Sequence, residues 1–590
     1  MAADSRCDRM GVAQPSAARE VRNPSAGSEV RLARRLCLIA AIAACGCRAG
    51  VAPRGPAGAP APPAAVARYA KVELALPRRS LNGGGEDPFV EVSPPSGTTT
   101  RVFGFLAGDR WTFRFAPAEL GAYRFTVRGR DGAIARAGQF QSVAGTDRGP
   151  VRIDPRDPHR LRFQDGTPFF ILGENRINIY DPSWNYGHLK AADYVAAMAQ
   201  NGMTTLRLFI VAACKPKQPP ARVRLGCLEP RMGQFDDGVA RDLDGIFDAA
   251  ETHGIYVVLT AFAIGFSPGD SWKDWKDNLY NAVNGGTAAT NREVFTRDDL
   301  REAAKRKLRY LSARYGYSSH LLAIDLLNEP EWDGQIAERD WIPWAEDLAR
   351  DWKARDRVGH LITVGSIGLS SNVAGDERPL YAAPEIDLVQ WHLYGVHDPR
   401  ANAEEMLRRV RETWGAAKPI FCGEFAYGGE DPALYDHTHD GIWAAVFSGA
   451  GALAHSAPPF HLDSDEPMTP ARGRHFRVLA DFLRALGPDA SLEPDPTAAA
   501  APDSARVLAL GHGDARAVWL LGPAIGYGQP VAGATVTLSG VPAGRYTIAW
   551  RDDVTGRPIA AETAVSVDDR LVLHAPTFTR HVAARVQRAP

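Results

Sequence analysis

Apolar positions in this chain change period twice. Between residues 66 and 146 they alternate with polar ones. Trp111-Thr112-Phe113-Arg114-Phe115 and Tyr123-Arg124-Phe125-Thr126-Val127 flank a turn at Gly121, which predicts a small β-sandwich. Residues 504–590 read the same way, in Ala517-Val518-Trp519-Leu520-Leu521, Ala534-Thr535-Val536-Thr537-Leu538 and Arg545-Tyr546-Thr547-Ile548-Ala549-Trp550. From 150 to 488 continuous apolar runs replace the alternation: 168–173, 204–211, 255–262, 321–327, 361–365, 388–394, 420–423 and 451–455. Most are separated by stretches of helical period, at 189–200, 239–252, 298–314, 339–354 and 403–414; only the segment between the fifth and sixth runs lacks one. Gly202, Gly254 and Gly316 follow helices directly, where a left-handed cap is expected. Near-continuous apolar strands alternating with helices mean a parallel sheet covered on both faces. Eight repeats favour an α/β fold of the (β/α)8, TIM-barrel kind, flanked by N-terminal and C-terminal β-sandwiches. No glycine-rich fingerprint follows the first strand, which argues against an open nucleotide-binding sheet.

The N-terminus reads as a leader. Arg31, Arg34 and Arg35 precede the apolar run 36–44, which is too short to span a bilayer. Ile42-Ala43-Ala44-Cys45 resembles the lipobox of bacterial lipoproteins, which implies lipidation of Cys45 and residence in the periplasm or on the outer membrane. A plain signal peptide cut elsewhere is the alternative. Residues 49–65 are a Pro/Ala-rich tether and 489–503 a second linker. Seven cysteines make no disulfide framework at this length; after export Cys214 and Cys227 could pair, and Cys422 reads as a buried small hydrophobe. His437-Thr438-His439-Asp440 reads as a surface or substrate-facing loop, not a metal site. A net charge of −1 gives no electrostatic case for nucleic acid.

The chemistry lies at strand ends. Glu329, in Leu326-Leu327-Asn328-Glu329-Pro330, closes the fourth run, and Glu424, in Phe421-Cys422-Gly423-Glu424-Phe425, closes the seventh. A barrel brings strand C-termini to one face, so the two carboxyls converge. Glycoside cleavage uses two: one protonates the leaving oxygen, the other attacks or activates water. An ionised carboxyl would raise the pKa of its neighbour and keep that one protonated near neutral pH.

With these residues in place, the stretch 160–485 resembles the clan A glycoside hydrolases, and within them family five, the cellulase and β-mannanase family. The resemblance implies Glu329 as acid/base and Glu424 as nucleophile of a retaining double displacement that needs no cofactor and no metal. It implies Arg207 beside the nucleophile, Asn328 on the sugar 2-hydroxyl, and His392 and Tyr394 as the family's pair at the end of the sixth strand, with Trp391 beside them among the substrate-binding candidates. Two positions depart from the family: no histidine stands on the third strand, and His455 occupies the place of the eighth-strand tryptophan. Trp272, Trp275, Tyr280 and Asn281, with Asn284-Gly285-Gly286, form a loop like the Asn-rich one of bacterial relatives with an N-terminal sandwich; aromatic faces there would stack on sugar rings. The expected substrate is a β-mannan or β-glucan. An inactive glycan-binding lipoprotein and a transglycosylase are the alternatives.

Overall fold

The computed structural model describes residues 63–81, 86–176, 191–210, 227–263, 265–266, 275–331, 336–366, 377–427, 431, 434–455, 468–487, 493–511 and 513–589. The expected leader with Cys45, most of the 49–65 tether, Trp272 and Cys214 lie outside them. Cys227 is disulfide-bonded.

Eight parallel strands build the central barrel: β1 (Leu172–Arg176), β2 (Thr205–Phe209), β3 (Tyr256–Thr260), β4 (Leu321–Asn328), β5 (Leu361–Gly365), β6 (Val389–Leu393), β7 (Ile420–Phe425) and β8 (Gly451–His455). Their order is β5-β4-β3-β2-β1-β8-β7-β6. The ring closes between β5 and β6 through a parallel bridge from Ser366 to Trp391 and a bond from the His392 amide to the Ser366 carbonyl (2.9 Å). This seam has less regular pairing than the other joints.

The outer layer comprises α1 (Ala191–Gln200), α2 (Asp237–His253), α3 (Asp298–Tyr315), α4 (Glu338–Arg355), the short α5 (Arg378–Ala382), α6 (Pro399–Thr413), α7 (Asp436–Phe447) and α8 (Pro470–Arg484). Asp236 caps α2 by accepting from the Gly238 and Val239 amides, and Gly254 ends it at φ 72°, as the pattern required. Gly202 is also left-handed, at φ 73°. Gly316 is not: its φ is −68°. A Cβ there would stand 2.5 Å from the Ser312 carbonyl oxygen, so close backbone approach, rather than a left-handed turn, calls for glycine at this position.

The expected first strand is corrected too. Pro168–Phe169 pairs antiparallel with Asp157–Arg162, which pairs with Arg152–Asp154. Phe163, Phe169 and Ile171 from this small sheet pack with Tyr256, Leu322, Leu361, Leu388, Phe421 and Leu453. Those six lie at the starts of barrel strands, so the sheet plugs the barrel's N-terminal mouth. One apolar run thus serves two sheets, and barrel pairing begins at Leu172, opposite Ala452.

His437 to Asp440 is corrected as well. These residues form the first turn of α7 and are buried. This helix is buried on every side because it is sandwiched: Trp443 and Phe447 meet Phe482 of α8 and Trp519 of the C-terminal domain. A helix buried on every side carries no amphipathic signature.

Both flanking domains are two-sheet sandwiches with their own cores. In the N-terminal one, Val90, Phe125 and Val127 face Leu74 and Phe113 of the other sheet. Arg114 reaches out of it to Asp244 of α2 (2.7 and 2.9 Å), and Asp244 also receives Arg314 of α3 (2.9 and 2.7 Å). At the C-terminal joint Asp553 accepts from Trp519 Nε1 (2.6 Å) and bonds His581 Nδ1 (2.7 Å), while His439 stacks on His581 at 4.2 Å.

Candidate active site

All eight strands send groups to one polar layer at the C-terminal rim. Arg207 of β2, fully buried, is its centre. Its Nε and Nη2 donate to Asp325 Oδ2 (2.9 and 2.6 Å), Nη2 also to Asn328 Oδ1 (2.7 Å), and Nη1 to Asn175 Oδ1 (3.0 Å) and Glu424 Oε1 (2.5 Å). Asp325 is held in turn by the Thr260 hydroxyl (2.9 Å) and the Gly365 amide (3.0 Å). A planar guanidinium whose donors are all directed in this way fixes the carboxylates it touches.

Glu424 ends β7 and is buried. Besides Arg207 it accepts from the Tyr394 hydroxyl (2.5 Å) and faces His455 Nε2 (3.3 Å). Burial works to raise its pKa, but attraction to His392 and the Arg207 guanidinium, with the His455 hydrogen bond, outweighs burial and holds the carboxyl well below the usual range. Tyr394 is pushed the other way, well above an ordinary phenol, by burial and then by Glu424, so it stays a donor. Glu329 follows β4 and is also buried. His392 Nδ1 lies 2.7 Å from Glu329 Oε1, and its Nε2 lies 3.8 Å from Glu424 Oε1. One oxygen of each glutamate and a nitrogen of His392 lie within 4.8 Å of one another.

Backbone geometry aims these groups. Glu329 has φ 47°, a left-handed conformation that costs a non-glycine residue roughly 1–2 kcal/mol. Its amide donates to the Gly365 carbonyl (2.6 Å), so pairing with β5 holds the turn. At Gly365 a Cβ would stand 2.8 Å from both Arg207 Nη2 and Gln390 Nε2, and at Gly423 it would stand 2.5 Å from Gln390 Nε2. These two glycines clear the space that the polar layer fills. With its amide oxygen turned toward its donors, Gln390 accepts from His392 Nε2 (3.2 Å) and from Arg207 Nη2 and Nε (3.2 and 3.1 Å).

Arg207, Asn328, Glu329, His392, Tyr394, Glu424 and His455 therefore come together. Other expected residues do not. Trp391 precedes His392, so it points away from the barrel axis and is buried in the surrounding apolar core. Tyr280 is fully buried in that core and offers no face to a sugar. Asn281 folds its own loop: it caps the turn at Val283 (3.0 Å) and donates to the Trp275 carbonyl (3.1 Å). Asn278, Asn284 and Asn291 likewise donate to backbone carbonyls. Gly285 has φ 88°, and at Gly286 a Cβ would meet the Tyr280 carbonyl at 2.1 Å. The asparagines and glycines of this segment are its turn chemistry, and Trp275 packs half-buried against the core.

Asn175, Asp325, Gln390 and Gly365 were not anticipated. A charged residue inside Leu321-Leu322-Ala323-Ile324-Asp325-Leu326-Leu327 was the available signal, since a buried carboxylate needs a partner. Among the described residues two groups bring three ligand-type atoms together: Glu329, His392 and Glu424, and His439, Asp553 and His581. In each, a direct 2.7 Å hydrogen bond joins two members.

Residues 164–452 match the family model Cellulase (glycosyl hydrolase family 5). The barrel is a clan A, family-5-like barrel. The chain is 25% identical over 293 residues to "Probable mannan endo-1,4-beta-mannosidase F" of Aspergillus oryzae (strain ATCC 42149 / RIB 40), a match covering 45% of this chain and 60% of that protein. It is 25% identical over 224 residues to "Mannan endo-1,4-beta-mannosidase F" of Aspergillus clavatus, covering 34% of this chain and 46% of that one. The chain thus spans about half the length of these curated relatives. The crystal structure of a proposed glycoside hydrolase from Bacteroides vulgatus ATCC 8482 superposes over 89% of this chain and 100% of its own, with a TM-score of 0.63 at 15% identity. That breadth extends the likeness of fold to the flanking domains of this family-5-like barrel.

Proposed function

We propose that the protein is a retaining β-glycoside hydrolase acting on β-mannan or a manno-oligosaccharide, with Glu424 as nucleophile and Glu329 as acid/base. The observation that carries this reading is the approach of the two carboxyls from β4 and β7, oxygen to oxygen within 4.8 Å. Retaining glycosidases hold their pair about 5–5.5 Å apart, whereas inverting enzymes leave about 6.5–9.5 Å for a water. Glu424, kept ionised and aimed by Arg207 and Tyr394, attacks the anomeric carbon while Glu329 protonates the departing oxygen. In the glycosyl-enzyme the charge on Glu424 is gone, and Glu329 takes a proton from water, which displaces Glu424. Asn328 has its oxygen engaged by Arg207, which turns its amide hydrogens toward the sugar 2-hydroxyl. The mannan preference rests on the relatives' names. Export and lipidation at Cys45 belong to the same proposal, placing the enzyme where polymeric glycans are met.

The test compares wild type, Glu329→Ala and Glu424→Ala on aryl β-mannosides and β-glucosides with good and poor leaving groups, with and without azide. Glu329→Ala is expected to keep turnover only of good leaving groups and to be rescued as a β-glycosyl azide. Glu424→Ala should be nearly inactive, any azide product being inverted. Folded wild type that binds mannan and turns over no glycoside would refute the proposal.

A further inference from the structure

Behind Glu329, at the β5–β6 seam, lies a second pair of carboxyls that the reaction above does not use. Ser366 Oγ is 2.7 Å from Glu331 Oε1 and in contact with Glu377 Oε1. Glu377 Oε2 accepts from the Tyr381 hydroxyl (2.7 Å). All four residues are buried. The chain Glu331–Ser366–Glu377 has two close oxygen–oxygen contacts, and oxygens this near need a proton between them. Serine supplies one. The other must sit on a carboxyl. Glu377 already receives the Tyr381 hydroxyl, so the proton falls to Glu331.

We propose that Glu331 is a neutral carboxylic acid, donating to Ser366 as Ser366 donates to Glu377, and that this proton makes Glu331 a positioning residue for Glu329. The role in catalysis rests on Glu329 being the acid/base. Burial, then the charge on Glu377, push Glu331 up to about 8, with Glu329 adding to the effect. Among the described residues, the charged and titratable groups that act on the pair include Glu329 at the end of β4, Tyr381 of α5 and Arg409 of α6. Ser366 is also the residue through which β5 grips β6, next to His392, and Gly365 before it receives the Glu329 amide. The shared proton therefore holds together the strand ends that present both members of the Glu329–His392 contact.

Neutrality matters as much as position. An anion two residues from Glu329 would make Glu329 hold its proton too tightly to act as base in the second half-reaction. With Glu331 neutral, the hold on that proton is governed by Glu424, whose charge disappears when the glycosyl-enzyme forms. A buried acid kept neutral so that it can donate is a known device of active sites.

Two measurements test this. Isotope-edited infrared spectra of the full chain, labelled at glutamate, should show the carbonyl stretch of a protonated carboxyl at pH 6.5 that Glu331→Gln removes. Its absence from wild type overturns the proposal whether or not the protein cleaves glycosides, so that failure is separate from failure of the hydrolase reading. In the pH profile of kcat/KM, Glu331→Gln, whose amide donates like the acid, should leave the alkaline limb within about 0.2 pH unit of wild type and keep kcat/KM within about tenfold. Glu331→Ala should lose about 100-fold. A downward move of the limb by about 0.5 unit or more in Glu331→Gln would mean that an anion had been removed, and the proposal falls. If Glu331→Gln does not fold, Ser366→Ala must shift the infrared band; an unmoved band also overturns it.

Discussion

Tyr394→Phe removes one atom, the donor that lies 2.5 Å from Glu424 Oε2, and leaves the ring to pack as before. A hydrogen bond to a charged group is worth about 1.5–3 kcal/mol. Tyr394 is half-buried at the rim, so water can replace the hydroxyl in part, and the lower figure applies. The bond serves the anion, so its loss raises the Glu424 pKa by about one unit. The sign follows from the direction of the native shift. Glu424 is depressed when folded; its contribution is present above the ordinary carboxylate range and is lost as pH falls through the depressed value. The variant should therefore be less stable than wild type at pH 7 by about 1.5 kcal/mol, a difference that persists through the ordinary carboxylate range and shrinks only as pH falls through the depressed Glu424 value. The acid limb of kcat/KM on an aryl β-mannoside should move up by about one pH unit. Denaturant melts at pH 7, with the pH–rate profile, give the readout. An acid limb within about 0.2 unit of wild type, together with unchanged stability at pH 7, would refute the assignment of this hydroxyl to an ionised Glu424.

Three further outcomes are expected. Gly365→Ala places a methyl 2.8 Å from Arg207 and Gln390; overpacking should cost about 1–3 kcal/mol and kcat should fall at least about 100-fold, read by thermal melts and steady-state kinetics. Arg114→Ala leaves Asp244 with Arg314 alone and should destabilise by about 3 kcal/mol without moving KM, since the joint lies away from the barrel rim. Burial depresses His437 to about 4 and His475 to about 2, so both remain neutral when folded while the unfolded chain takes up protons. Their stability is complete above pH 6.5 and lost as pH falls, by about 2 kcal/mol each between pH 6.5 and 5; His475→Gln should flatten the dependence of Tm on pH over that window.

Much of this molecule was legible in the residue pattern because the pattern is itself physical. A strand buried on both faces must be apolar along its length, and eight such runs separated by helical periods allow few architectures. Glu329 and Glu424 stand out because each breaks an apolar run at its end, where a barrel collects functional groups. The two sandwiches showed in their alternation for the same reason. Helix α8 is also marked in the sequence, by Thr469 before Pro470, a cap followed by proline at the first helical position.

Only the tertiary structure decided the rest, and each case has the same cause: a side chain's role depends on which partner the fold brings to it. Tyr280, Asn281 and Trp391 have the chemistry of sugar contacts, yet burial and local turn bonds use them up. Asp325 and Asn175 look like blemishes in strands until Arg207, distant in sequence, is set between them. One apolar run from Pro168 to Gly173 divides between a plug and a barrel strand because two different sheets compete for it. The carboxyl pair at Glu331 and Glu377 is joined by a serine on a third segment. Period and run length are properties of neighbours along the chain; charge pairing, proton sharing and pocket shape are properties of neighbours in space.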